Sequence, residues 1–151
     1  MMKKNIFNFG FLFLTVFIFG SLVFASSADI TQIKFTSDPQ SINANTASTV
    51  LSIQTQDATG AETQTGETNH LNLTSTSATG QFSDASISEG TCNESTWNAN
   101  ITLTLASTRA NKGFCYKDST PGTYTLTVSV EEQDWTSATQ EIVITGEEPD
   151  L

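Results

Sequence analysis

The stretch Thr123-Tyr124-Thr125-Leu126-Thr127-Val128-Ser129-Val130 alternates a small polar residue with an apolar one at every step. Successive side chains of an extended strand point to opposite faces. The spelling therefore predicts a strand with Tyr124, Leu126, Val128 and Val130 on a dry face and Thr and Ser on a wet one. Threonine suits the wet face, because its branched Cβ packs well on a pleated surface. Upstream, Trp97, Ala99, Ile101, Leu103 and Leu105 share one parity, and Asn98, Asn100, Thr102 and Thr104 the other. This predicts a second strand, opened by Trp97, with Trp97 in the core.

Shorter runs repeat the pattern. Ile33 and Phe35 flank Lys34, Leu51 and Ile53 flank Ser52, Leu71 and Leu73 flank Asn72, and Ile142 and Ile144 flank Val143. Turn residues separate them: Asp38-Pro39, Asp57-Ala58-Thr59-Gly60, Thr79-Gly80, Glu89-Gly90 and Pro121-Gly122. No stretch carries a helical period. About seven short strands with frequent turns predict an all-β fold, an antiparallel two-sheet sandwich of immunoglobulin type, over residues 29–145. Tyr124 follows the corner Asp118–Gly122. Its hydroxyl bonds back to that corner, or it serves only as a core aromatic; both place it inward.

The ends read differently. Lys3 and Lys4, an apolar run from Ile6 to Phe24, and the small residues Ala25-Ser26-Ser27-Ala28 have the order of a secretory signal peptide over residues 1–28. Cleavage fits after Ala25 or after Ala28. The apolar run is also close to the length that spans a bilayer, so an uncleaved anchor is the alternative, and the only expected link to a membrane. Residues 146–151 are polar and acidic and read as a disordered tail. The chain holds six basic and sixteen acidic side chains, a formal net charge of −10. Two of the basic ones lie in the leader, so the remainder is more acidic still. Such a surface repels nucleic acid and anionic lipid, keeps the protein soluble, and attracts cations. Cys92 and Cys115 are the only cysteines. In an exported chain an even count suggests a disulfide, with two free buried thiols as the alternative.

The run from Asn111 to Val128, with Phe114-Cys115-Tyr116-Lys117-Asp118-Ser119-Thr120 followed by Gly122-Thr123-Tyr124-Thr125-Leu126-Thr127, resembles the bacterial immunoglobulin-like domains of surface-layer proteins, adhesins and large extracellular proteins. Those domains often carry an aromatic-rich stretch and then a Gly-Thr-Tyr-Thr-Leu-Thr strand. Cys115 stands where the family often has an aromatic, so the resemblance implies that the pairing with Cys92 is a local elaboration. The resemblance covers most of Ile30 to Thr145. It implies spacer or adhesive modules, which usually occur in arrays.

Chemistry has few candidates. His70 is the only histidine, and a nucleophile needs a base held by a third group. Two cysteines and one histidine do not make a zinc site. No enzyme activity and no cofactor are expected, although calcium, which wants several oxygen ligands from loops, is the ion the acidic stretches would suit. Glu131, Glu132 and Asp134 are its candidates; Asp57, Glu62 and Glu67 lie in a second loop region. Trp135, beside the first cluster, either stacks on a sugar or anchors a partner, or tucks under the loop and closes the end of the sandwich. Asn72, Asn93 and Asn100 open glycosylation-type triplets of the kind chance supplies in an Asn- and Thr-rich chain. The sequence thus points to a secreted or cell-surface module, non-catalytic, structural or adhesive, with a cell-envelope component, a surface protein or a glycan as partner. A carbohydrate- or protein-binding module using loop aromatics is the alternative.

Overall fold

A computed structural model describes residues 29–146; the predicted leader (1–28) and the tail beyond Gly146 lie outside the described residues. Ten strands follow in order: β1 (Ile30–Phe35), β2 (Gln40–Asn43), β3 (Leu51–Asp57), β4 (Asn69–Ser75), β5 (Gln81–Ser86), β6 (Thr91–Cys92), β7 (Ile101–Leu105), β8 (Asn111–Lys117), β9 (Gly122–Val130) and β10 (Ala138–Thr145). They form two five-stranded sheets, β1-β3-β8-β5-β6 and β2-β10-β9-β4-β7, packed as a sandwich.

The expected fold class stands, with two differences. There are ten strands rather than about seven. The pairing is not wholly antiparallel, because β2 runs parallel to β10, from Gln40 opposite Ile142 to Asn43 opposite Thr145. The first strand is in effect divided. Its first half, β1, pairs with β3, and after Asp38-Pro39 its second half crosses to the other sheet as β2.

Alternation finds the strands that have one wet face. In β9, Leu126, Val128 and Val130 are buried as the pattern requires. It fails for β8, where Gly113, Phe114, Cys115 and Tyr116 are all buried in succession. Phe114 and Tyr116 face the core, while the other face of β8 is covered. A Cβ on Gly113 would meet Ile87 at 2.7 Å and Val50 at 3.0 Å. Cys115 is sealed by its bond to Cys92. The core is built on aromatics: Phe82 lies 5.1 Å from Tyr116 and 6.0 Å from Phe114, and Phe35 meets Phe114 edge-on at 6.0 Å. Ile33, Leu51, Leu73, Val128 and Ile142 fill the space around them.

Trp97 corrects the sequence reading. The strand begins at Ile101, and Trp97 is half-buried outside the core. Asn98 still pairs with Phe82 of β5 in the first sheet, at 2.8 and 3.0 Å, before the chain crosses to β7 in the second. A parity carried through that crossing has no fixed face to refer to.

The disulfide joins Cys92 to Cys115, two places apart in the strand order, and closes a loop with a sequence separation of 23. It holds the two-residue β6, which has only two paired positions of its own. Chain-entropy arguments put its contribution at about 3 kcal/mol. Replacing both cysteines by alanine should lower the unfolding free energy by about that amount in urea titrations. A loss below about 1 kcal/mol would remove the disulfide as a brace.

Candidate binding surfaces at the two ends

The strands give the sandwich a head and a foot. The β4–β5, β6–β7 and β8–β9 connections lie at the head, and the β3–β4, β7–β8 and β9–β10 connections at the foot.

The head is organised by Asp118, which is buried at 1 % exposure. Its Oδ2 accepts the Tyr116 hydroxyl at 2.7 Å. Its Oδ1 accepts the Thr79 hydroxyl and, at 3.0 Å, the Thr120 N–H. Burial works to raise the Asp118 pKa, but hydrogen bonds from Ser77, Thr79, Thr120 and Tyr116 outweigh it and hold the carboxyl below its ordinary value. Burial also pushes the Tyr116 phenol far upward, with Asp118 adding to the effect. The Tyr116 hydroxyl further meets Ser75 Oγ at 2.9 Å, so one phenol and one carboxylate tie the ends of β4 and β8 to the β4–β5 and β8–β9 loops. Gly80 is required here: a Cβ would stand 2.1 Å from the Tyr116 hydroxyl. The expected back-bond of Tyr124 is present, its hydroxyl donating to the Thr120 carbonyl at 3.2 Å.

Beside this knot the head carries a cleft of about 430 Å³. Thr79, Gln81, Lys117 and Ser119 are among its lining residues. Lys117 also lies over the Trp97 ring, 4.3 Å from its centroid, while the Trp97 N–H donates to Glu94 at 3.3 Å. Trp97 is thus a rim residue of the head. Its parity hid this role, and the one signal available was the turn-rich, polar Asn93–Ser95 segment before it.

The foot holds the other candidates. His70 lies on the solvent face of β4 and meets Glu132 Oε1 through Nδ1 at 3.1 Å, both side chains about half exposed. Glu131 and Asp134 are exposed, and Trp135 is half-buried against the core. The second acidic group is occupied by hydroxyl and amide donors. Asp57 Oδ1 accepts the Thr59 hydroxyl and the N–H groups of Thr59 and Ala61, and these, the Thr59 hydroxyl foremost, hold its carboxyl below the usual range. Glu62 accepts from Gln54 and Asn111, and Glu67 from Gln133. Among the described residues no three His, Cys, Asp or Glu side chains gather as a group that would hold a metal ion. Glu131, Glu132 and Asp134 are neighbours in sequence that are not brought together as such a group.

No family model and no curated protein matches the chain. Solved structures do. Surface layer protein SbsC, domains 1–6, is 14 % identical with a TM-score of 0.51, over 80 % of this chain and 14 % of that one. A glycosyl hydrolase family 2 member from Bacteroides cellulosilyticus is 12 % identical with a TM-score of 0.53, over 80 % of this chain and 15 % of that one. A β-glycosidase from Bacteroides vulgatus is 15 % identical with a TM-score of 0.53, over 78 % of this chain and 14 % of that one. The chain spans about one seventh of each of these longer chains. At these identities the likeness is one of fold.

Asp118 makes the head sensitive to acid. Its folded pKa is depressed, so the carboxylate stabilises the fold fully above the unfolded pKa of about 4 and loses that contribution as pH falls through the folded value. Asp118→Asn should cost about 1–3 kcal/mol at pH 7. The gap to the parent should narrow below about pH 4. Urea unfolding at pH 7 and pH 3 checks this, and a gap independent of pH would contradict the role given to the charge.

Proposed function

We propose that the chain is a non-catalytic extracytoplasmic module of the cell surface, acting as a spacer or adhesive unit. The observation that carries the reading is the placement of the domain's two ends. The entering strand is fastened to the foot of β10, through Ile33 N–H to Thr136 O and Thr136 N–H to Thr31 O, each 2.9 Å. The chain leaves at the head, past Thr145. The eight residues of β10 separate the two points, about 26 Å at ordinary strand rise. A domain entered at one end and left at the other extends a chain rather than folding it back. The disulfide and the signal-like leader accord with export. The surface-layer likeness supports the same reading at the level of fold.

Cell fractionation of the tagged protein in its own host, with and without a chelator wash, tests this. Retention on the envelope is expected. Release by the chelator would assign the attachment to calcium held between the acidic surface and a partner. Protein found free in the medium would sink the structural reading.

The half-buried Trp97 beside the head cleft favours one second reading, a glycan-binding module. Trp135→Phe leaves Trp97 as the only indole. Under the glycan reading its fluorescence shifts on titration with envelope polysaccharide. Under the spacer reading it does not respond.

A further inference from the structure

A sheet edge presents unpaired main-chain N–H and C=O groups, and a fold either blunts it or leaves it open to another strand. Among the described residues the two sheets end in β1, β6, β2 and β7. The first three are blunted. β1 carries Lys34 and a register shift between Ile30 and Gln32, and its Ile33 N–H already donates to Thr136. β6 has two residues and is held by the disulfide. β2 has four residues behind Pro39, and the Gln40 side chain accepts the Thr49 N–H at 3.0 Å across its edge. β7, Ile101-Thr102-Leu103-Thr104-Leu105, has no charge, no proline and no shift in its pairing with β4.

The ladder tells which groups of β7 face outward. Thr76 continues the β4–β9 register opposite Thr125, and its N–H donates to the Thr125 carbonyl at 3.1 Å. Bonded pairs alternate along an antiparallel ladder, so Asn72 and Thr74 also turn their main-chain groups toward β9, while Leu71 and Leu73 turn theirs toward β7. On β7 the partners Leu103 and Ile101 are thereby engaged, and the N–H and C=O of Thr102 and Thr104 point away from the sheet. The surroundings are as neutral as the edge. β4, β7 and β9 contain no Asp, Glu, Lys or Arg, although the chain has a formal net charge of −10. Their one titratable group on the outer face, His70, is occupied by Glu132.

The strand is complementary to itself. Two antiparallel copies centred on Leu103 set Thr102 opposite Thr104, Leu103 opposite Leu103, and Ile101 opposite Leu105. Both outward residues of each copy are then bonded, apolar meets apolar on the inner side, and hydroxyl meets hydroxyl on the outer side. A slip of one residue would set threonine against leucine. The neutral seam lets two acidic chains meet without opposed like charges. We propose that this protein forms a two-fold dimer through β7, joining the two β2-β10-β9-β4-β7 sheets into one. The contact is isologous, so it closes at two copies. The partners run in opposite directions, which suits modules that stand on two facing surfaces. That last step rests on the adhesive reading; the dimer itself needs only purified protein, so either can fail without the other.

Sedimentation velocity of the full chain recovered from its exporting host, over a concentration series at low and high salt, tests it. The mean size should rise with concentration to a plateau at the dimer. Salt should favour association, because it screens the net repulsion and the seam holds no ion pair. Thr102→Pro removes an outward N–H and leaves the β4 ladder intact. It should raise the dissociation constant at least about tenfold with little change in the urea midpoint. The double variants Thr102→Lys, Thr104→Lys and Thr102→Glu, Thr104→Glu should each be monomeric, and their equimolar mixture should pair again. That rescue separates a lost contact from a lost fold. A monomer at every concentration, growth past the dimer, dissociation by salt, or a mixture that stays apart would overturn the proposal.

Discussion

The Tyr116 hydroxyl and the Asp118 carboxylate meet at 2.7 Å where solvent scarcely reaches, with Tyr116 fully buried. A buried carboxylate is costly unless its oxygens are satisfied. The architecture of the head follows from satisfying them. Thr79 comes from the β4–β5 loop, Thr120 from the β8–β9 turn, and Ser75 completes the phenol's partners. The backbone around the pair is equally committed. Ser48 exchanges both main-chain polar groups of Tyr116, donating to its carbonyl at 2.8 Å and accepting its N–H on Oγ at 2.9 Å. Asn45, in the left-handed region at φ 64°, donates to the Asp118 carbonyl. Two segments distant in sequence, Asn45–Ser48 and Ser75–Thr79, thus converge on Tyr116 and Asp118, and Gly80 is fixed by the volume of the phenol ring.

Three acids nearer the surface obey the same rule with less burial. Asp57, Glu62 and Glu67 each accept from a hydroxyl, an N–H or a side-chain amide nearby. A chain this rich in Thr, Asn and Gln supplies enough neutral donors to engage carboxylates without gathering them. High negative charge and a metal site are therefore separate properties. The first is set by composition, and the second needs several acids turned toward one point.

Legibility in the sequence followed the environment of each strand. β3, β4, β7, β9 and β10 have one dry face, and their alternation could be read directly. β5 could not, because Ser83, beside Cys115 on the face away from the core, is fully buried and satisfies its hydroxyl on the Asn93 carbonyl, so a polar letter stands at a buried position. β8 could not be read by parity because both its faces are covered, although the resemblance of its aromatic run pointed to it. The Tyr124 corner was visible because its donor and its turn are local. Asp118 was inside the quoted motif, yet its role depends on Ser75, Ser77 and Thr79, about forty residues away in sequence. Local spelling carries no information about that closure.

The two ends of the sandwich differ in how they are held. At the head a buried network joins the loops to the core. At the foot the comparable contacts, His70 with Glu132 and Gln133 with Glu67, are exposed pairs of the kind worth least. Between the ends, β1 starts at the foot and β10 finishes at the head, so tension along the module runs along the strands. The parallel β2–β10 pairing then resists in shear, with its four residue pairs loaded together rather than opened one after another.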